Sequence, residues 1–83
     1  MKIPRDIDGK FLAKLLTKKY QYTVSRQTGS HLRLTTRIKG EHHITIPQHK
    51  PLKAGTLNGI LKDIASHLEI EKEDLIRELF YEK

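Results

Sequence analysis

The chain has 83 residues, enough for one domain with a thin core, because a chain of this size buries only about 60 to 65% of the surface it would expose unfolded. It has no cysteine, which excludes disulfide staples and thiolate metal sites, and no apolar run approaching the roughly 18 residues of a membrane span, nor any signal-peptide pattern at its start; the expectation is a soluble, cytoplasmic protein. The net charge of +6 is concentrated in residues 1–40, where ten Lys and Arg stand against Asp6 and Asp8, a balance that suits either a polyanionic partner or a solubilising surface.

The first periodic segment is DGKFLAKLLTKK. Phe11, Leu12, Leu15 and Leu16 recur at the spacing of one helical face, and Lys10, Lys14 and Lys18 form a stripe on another. The spacing predicts a helix from about residue 8 to 19, with Asp8 as its N-cap through a carboxylate that accepts from a free amide.

The next stretch, YQYTVSRQTGSHLRLTTRIKGEHHITIP, is rich in Tyr, Thr, Val and Ile and punctuated by Gly29 and Gly40. It predicts a three-stranded antiparallel meander over about 22–27, 30–37 and 41–47. A two-residue turn at Lys39-Gly40 would pair Leu34 with Thr45, mixing apolar with polar positions. A three-residue loop, Ile38-Lys39-Gly40, pairs Leu34 with Ile44, Leu32 with Ile46 and Arg37 with Glu41, and puts Gly40 where a left-handed residue is wanted. Alternation then sends Leu32, Leu34, Ile44 and Ile46 to the core. His31, Arg33, Thr35, His43 and Thr45 share the open face, and His42 faces the other way.

In KAGTLNGILKDIASHLEI, Leu57, Ile60, Leu61, Ile64, Ala65 and Leu68 mark a second helix with Thr56 as its expected cap. Lys50 and Lys53 stand just before it, so its first amides are either a phosphate seat or simply a helix start. The acidic EKEDLIRELFYEK predicts a short third helix from about Glu71, whose apolar face closes the core or docks a partner. The whole is one α+β domain over residues 1–83, with a core at about 3–68 and a helical extension at about 69–83. Its α-β-β-β-α order, with a three-stranded antiparallel sheet and helices on one face, is that of a double-stranded-RNA-binding-domain-like fold.

Three fragments now align with a known family. The RQTGSH run at Arg26 to His31, the Pro47-x-His49 pair and LKAGTLNGIL from Leu52 to Leu61, in this order and spacing, resemble the HicA (YcfA-like) mRNA interferase toxins. The resemblance implies an mRNA-cleaving endoribonuclease toxin held inactive by a HicB-like antitoxin, with the histidine of the Gly-Ser-His run, here His31, as the catalytic residue. The family usually carries glycine between helix one and strand one, where this chain has Gln21. The chain also has IASHLEI in place of the glycine that commonly ends helix two in the family, so that helix is expected to run farther.

The chemistry fits the residue. RNA supplies its own nucleophile in the 2′-hydroxyl, and an imidazole can act as base or acid near neutral pH. Arg33, two residues on, could hold the scissile phosphate. Lys10, Lys14, Lys18, Lys19, Arg26, Ser30, His49, Lys50 and Lys53 complete the expected RNA-binding set, which needs no cofactor. His43 is a second candidate acid–base group, and His67 is expected to face solvent or pack. A metal site from His31, His43 and His49 lacks a supporting carboxylate or cysteine at ligand-like spacing. Free of its partner, the protein is expected to be a monomer. The competing readings are a non-catalytic RNA-binding module, in which His31 is an ordinary strand residue, and a protein-interaction domain.

Overall fold

A computed structural model describes residues 2–82. The element order is α1 (Gly9–Tyr20), β1 (Thr23–Thr28), β2 (His31–Thr36), β3 (His42–Pro47), α2 (Ala54–Leu68) and α3 (Lys72–Phe80). The strands form one antiparallel sheet in the order β1-β2-β3. This is the expected α+β arrangement, each strand lying within one residue of its sequence-based bounds.

The second hairpin keeps the register read from hydrophobic alternation. Leu34 pairs with Ile44 and Leu32 with Ile46, and the ladder ends with Thr36 opposite His42, one step short of Arg37 and Glu41. Gly40 takes the left-handed conformation at φ 100 and Lys39 joins it at φ 57. The inner side chains Leu32, Leu34, Ile44 and Ile46 meet Leu12 and Leu16 of α1, Leu57, Leu61 and Ile64 of α2, and Leu75 and Leu79 of α3 in one buried cluster. Burying this apolar set against the pleat is what holds so small a sheet flat against three helices. The apolar side of α3 closes that cluster, with Leu75 fully buried. Tyr20 of α1 hydrogen-bonds Glu78 of α3.

Three helix ends differ from expectation. Asp8 occupies the N-cap position of α1 but its carboxylate makes no capping bond. The Gly9 amide is taken instead by the His49 carbonyl at 3.2 Å. Thr56 does not cap α2: the chain enters the helix at Ala54, with Lys53 extended in the cap position. Leu52 is buried and its amide bonds the Ile7 carbonyl at 2.8 Å, so the chain is anchored there and can turn helical at once.

Helix α2 also stops at Leu68 rather than running on. Glu69 adopts the left-handed conformation at φ 59, and the Ile70 amide returns to the Ala65 carbonyl at 3.1 Å. Gln21 does the same for α1 at φ 59, with the Tyr22 amide returning to the Leu16 carbonyl at 3.3 Å. Both ends thus use the glycine-type stop without glycine. The strain is offset because the next residue, Tyr22 or Ile70, packs on the core.

Candidate functional site

His31 is the first residue of β2, reached through a two-residue turn in which Gly29 takes φ 56. Glycine in the first turn position of such a hairpin adopts this conformation without steric cost. The His31 backbone is held from both sides, paired with Thr28 on β1 and Pro47 on β3. The Ser30 carbonyl accepts the Gln48 amide at 2.6 Å. The imidazole itself is exposed and, among the described residues, makes no hydrogen bond, which leaves both nitrogens available to a ligand.

Antiparallel pairing arranges the open face in rows. His31 lies between Thr28 and Pro47, Arg33 between Arg26 and Thr45, and Thr35 between Thr23 and His43. Arg26 and Arg33 are both exposed and directly opposite, a like-charge placement that costs stability unless an anion lies across it. Their alignment depends on a β-bulge between Val24 and Arg26. In an unbroken ladder Ser25 would oppose Arg33, and Arg26 would face the helix side with Leu32. One extra residue brings Arg26 round to the open face. No feature of the sequence analysis placed this bulge.

The lysines stand elsewhere. Lys10, Lys14 and Lys18 line a groove of about 520 Å³ with Ala13, Thr17, Val24 and Leu32, on the helix side of the sheet. Lys19 is half-buried in the last turn of α1. All six residues of β1 are exposed, so this one strand separates the lysine groove from the arginine pair. Lys50 and Lys53 are exposed in the connection to α2, and His49 is exposed beside them, its carbonyl engaged by Gly9.

The other histidines divide by face. His43 lies four residues along the ladder from the His31 row, about 13 Å at the rise of a strand, too far to share one phosphodiester with it. Its Nε2 donates to Glu41 at 2.9 Å and its Nδ1 meets the Thr35 hydroxyl at 2.7 Å. His42 faces the helices, as expected. Its ring lies between the Tyr22 hydroxyl at 2.7 Å and Asp63 at 3.2 Å, and stacks on His67 with centroids 4.3 Å apart. His67 is therefore packed, and its Nε2 donates to the Ile38 carbonyl at 2.8 Å.

Burial, with a smaller contribution from Asp63, pushes the Tyr22 phenol up to about 12. Burial and the Glu78 carboxylate raise Tyr20 as well. Among the described residues no three His, Cys, Asp or Glu side chains gather as a set that could hold a metal ion, and no helix is long and apolar enough to cross a membrane.

A protein-family model described as HicA toxin of bacterial toxin–antitoxin matches residues 9–65, the stretch that runs from the start of α1 into α2 and contains the whole sheet. No curated protein and no solved structure matches the chain.

Proposed function

Because this chain belongs to the HicA toxin family and is thus a toxin of a bacterial toxin–antitoxin system, we propose that it acts as an endoribonuclease on mRNA, with His31 as the acid–base group. The observation that carries this reading is the position of His31, an exposed imidazole with unoccupied nitrogens one row from the Arg26–Arg33 pair.

The reaction asks little of the protein. The ribose 2′-oxygen attacks the adjacent phosphorus, its proton passes to a base, and the bond from phosphorus to the 5′-oxygen breaks as that oxygen takes up a proton. A positioned imidazole contributes to either transfer, typically by a factor of about 10² to 10⁴. Residues i and i+2 on one face of a strand stand about 7 Å apart, so Arg33 can hold the phosphate while His31 reaches the ribose beside it. Two guanidiniums facing one phosphate also stabilise the charge that builds on its oxygens.

Binding follows from charge. Arg26 and Arg33 on one side of β1 and Lys10, Lys14 and Lys18 on the other give a cationic rim that attracts a polyanion with little sequence choice. Ser30 precedes His31, His49 follows its ladder partner Pro47 by two residues, and Lys19, Lys50 and Lys53 add to the charge offered to a polyanion. A HicB-like antitoxin that presents carboxylates to the same rim would exclude RNA.

The test is His31→Ala. Loss of RNA cleavage and of growth arrest, with RNA binding and thermal unfolding unchanged, supports the nuclease. Cleavage that survives the substitution overturns it and leaves a binding module.

A further inference from the structure

At the far end of the open face from His31, Gln21, Thr23, Ser25, Thr35, Arg37, Glu41 and His43 surround a recess of about 510 Å³. These residues come from the stop of α1 and from all three strands. Four of them are linked by a run of hydrogen-bonding contacts: Glu41 to His43 at 2.9 Å, His43 to Thr35 at 2.7 Å, Thr35 to Ser25 at 2.9 Å and Ser25 to the Arg33 carbonyl at 3.2 Å. The bulge that aligns the arginines also frees Ser25 from the ladder, so that its hydroxyl can close this run.

Proton accounting fixes what the recess offers. Thr35 has one hydroxyl proton. If it goes to Ser25, His43 donates from Nδ1 to Thr35 and from Nε2 to Glu41, as an imidazolium. If it goes to His43 Nδ1, Nε2 still donates to Glu41, and Ser25 can give its own proton to Thr35 or to the Arg33 carbonyl but not to both. In both arrangements each ring nitrogen is engaged within the protein and the ring cannot swing. What His43 exposes, 39% of its side chain, is therefore largely the carbon framework of a fixed aromatic plane.

The remaining groups are of mixed character. Arg37 and the Gln21 amide donate, the second Glu41 oxygen and the Gln21 carbonyl accept, and the Thr23 hydroxyl, which donates to the Thr35 carbonyl at 3.4 Å, is left to accept. Apart from His43, the lining holds one cation and one carboxylate, so a phosphate meets repulsion from Glu41 and a free cation meets repulsion from Arg37. A fixed aromatic plane beside both donors and acceptors matches the flat ring and polar edge of a nucleobase, the pattern by which single-stranded RNA is read. The 13 Å that separates the His31 and His43 rows corresponds to about two to four nucleotides, between the 3.4 Å of a stacked strand and roughly twice that for an extended one.

We infer that this recess is a nucleobase subsite: it takes one base of single-stranded RNA about two to four nucleotides from the ribose placed at His31, stacks it on His43 and reads its edge with Gln21, Arg37 and Glu41. The inference rests on the nuclease reading for its register, but not for its test. Gln21 fits the assignment, since an L residue held at φ 59 where glycine would be unstrained places an amide in the recess.

The experiment uses the full chain carrying His31→Ala, so that RNA is not consumed, and measures its affinity for ten-nucleotide homopolymers of A, C, G and U. Discrimination of about tenfold or more between the best and worst homopolymer is expected. His43→Ala, which removes the plane, and Glu41→Gln, which loosens it without changing its size, should each reduce the spread to about twofold. Equal affinity for all four homopolymers, or a spread that survives both substitutions, overturns the subsite. Cleavage by the chain with His31 intact is scored separately: a chain that discriminates through His43 but does not cut loses only the nuclease reading, and one that cuts without discriminating loses only the subsite.

Discussion

A Cβ built on Gly9 would stand 2.3 Å from the carbonyl oxygen of Pro47, closer than any real side chain comes to a backbone atom. The contact joins the first turn of α1 to the end of β3, and the neighbouring Gly9 amide and His49 carbonyl bond across it at 3.2 Å. Since Pro47 is also the ladder partner of His31, α1 is seated against the segment that positions the proposed catalytic group. Gly9→Ala must separate the two backbones. A destabilisation of about 2 kcal/mol is expected, as for other overpacked sites, seen as a lower denaturant midpoint, together with slower RNA cleavage.

Arg26 and Arg33 face each other across β1 and β2, and among the described residues neither forms an ion pair with an acid. Replacing either with Gln removes a repulsion from the free protein and a phosphate contact from the complex. Each variant should be as stable as the parent or slightly more so. Each should bind RNA more weakly, with the slope of log affinity against log salt reduced by about 0.7 to 1. An unchanged slope would show that neither guanidinium meets a phosphate.

Glu69 holds a left-handed conformation at the end of α2, exposed and paired with Lys39 at 3.3 Å. That surface pair contributes little. Glu69→Gly relieves the φ strain and should raise thermal stability by about 0.5 to 1 kcal/mol, less the extra entropy glycine gives the unfolded chain. Gln21→Gly at the end of α1 should stabilise similarly, while narrowing the homopolymer discrimination assigned to the recess it lines.

Tyr22 is fully buried and its phenol is pushed up to about 12, above the ordinary value of 10.0. Between those values the unfolded chain has lost a proton that the folded chain retains, so stability falls as pH rises. The contribution is complete below pH 10 and is lost on passing through about 12, at up to about 1.4 kcal/mol per pH unit. Tyr22→Phe should be less stable at neutral pH by about 1 to 2 kcal/mol, because His42 Nδ1 loses its donor at 2.7 Å. Its stability should decline less steeply in alkali, with the remaining slope due to Tyr20. Equilibrium unfolding across pH 8 to about 12.5 in both proteins checks the sign.

Whatever depends on periodicity along one element was legible in the order of residues alone. Alternation over Leu32, Leu34, Ile44 and Ile46 selected a single register, because a slip by one residue would turn every apolar side chain to water, and it placed His31, Arg33 and His43 on the open face in the same step. The i, i+3, i+4 spacing in Leu57 to Leu68 determined the buried side of α2 in the same local way. Where separately folded pieces meet was settled by packing between elements. The bulge at Ser25 brought Arg26 opposite Arg33, the packing of α1 put the lysine stripe on the reverse side of β1, and the anchoring of Leu52 started α2 before Thr56. The Glu41–His43–Thr35–Ser25 run and the His42–His67 stack likewise join residues from different elements, and Gln21 and Glu69 keep a glycine conformation because Tyr22 and Ile70 are drawn into the core. Such features depend on the balance between local strain and burial against distant neighbours, a balance that no repeat within a single segment encodes.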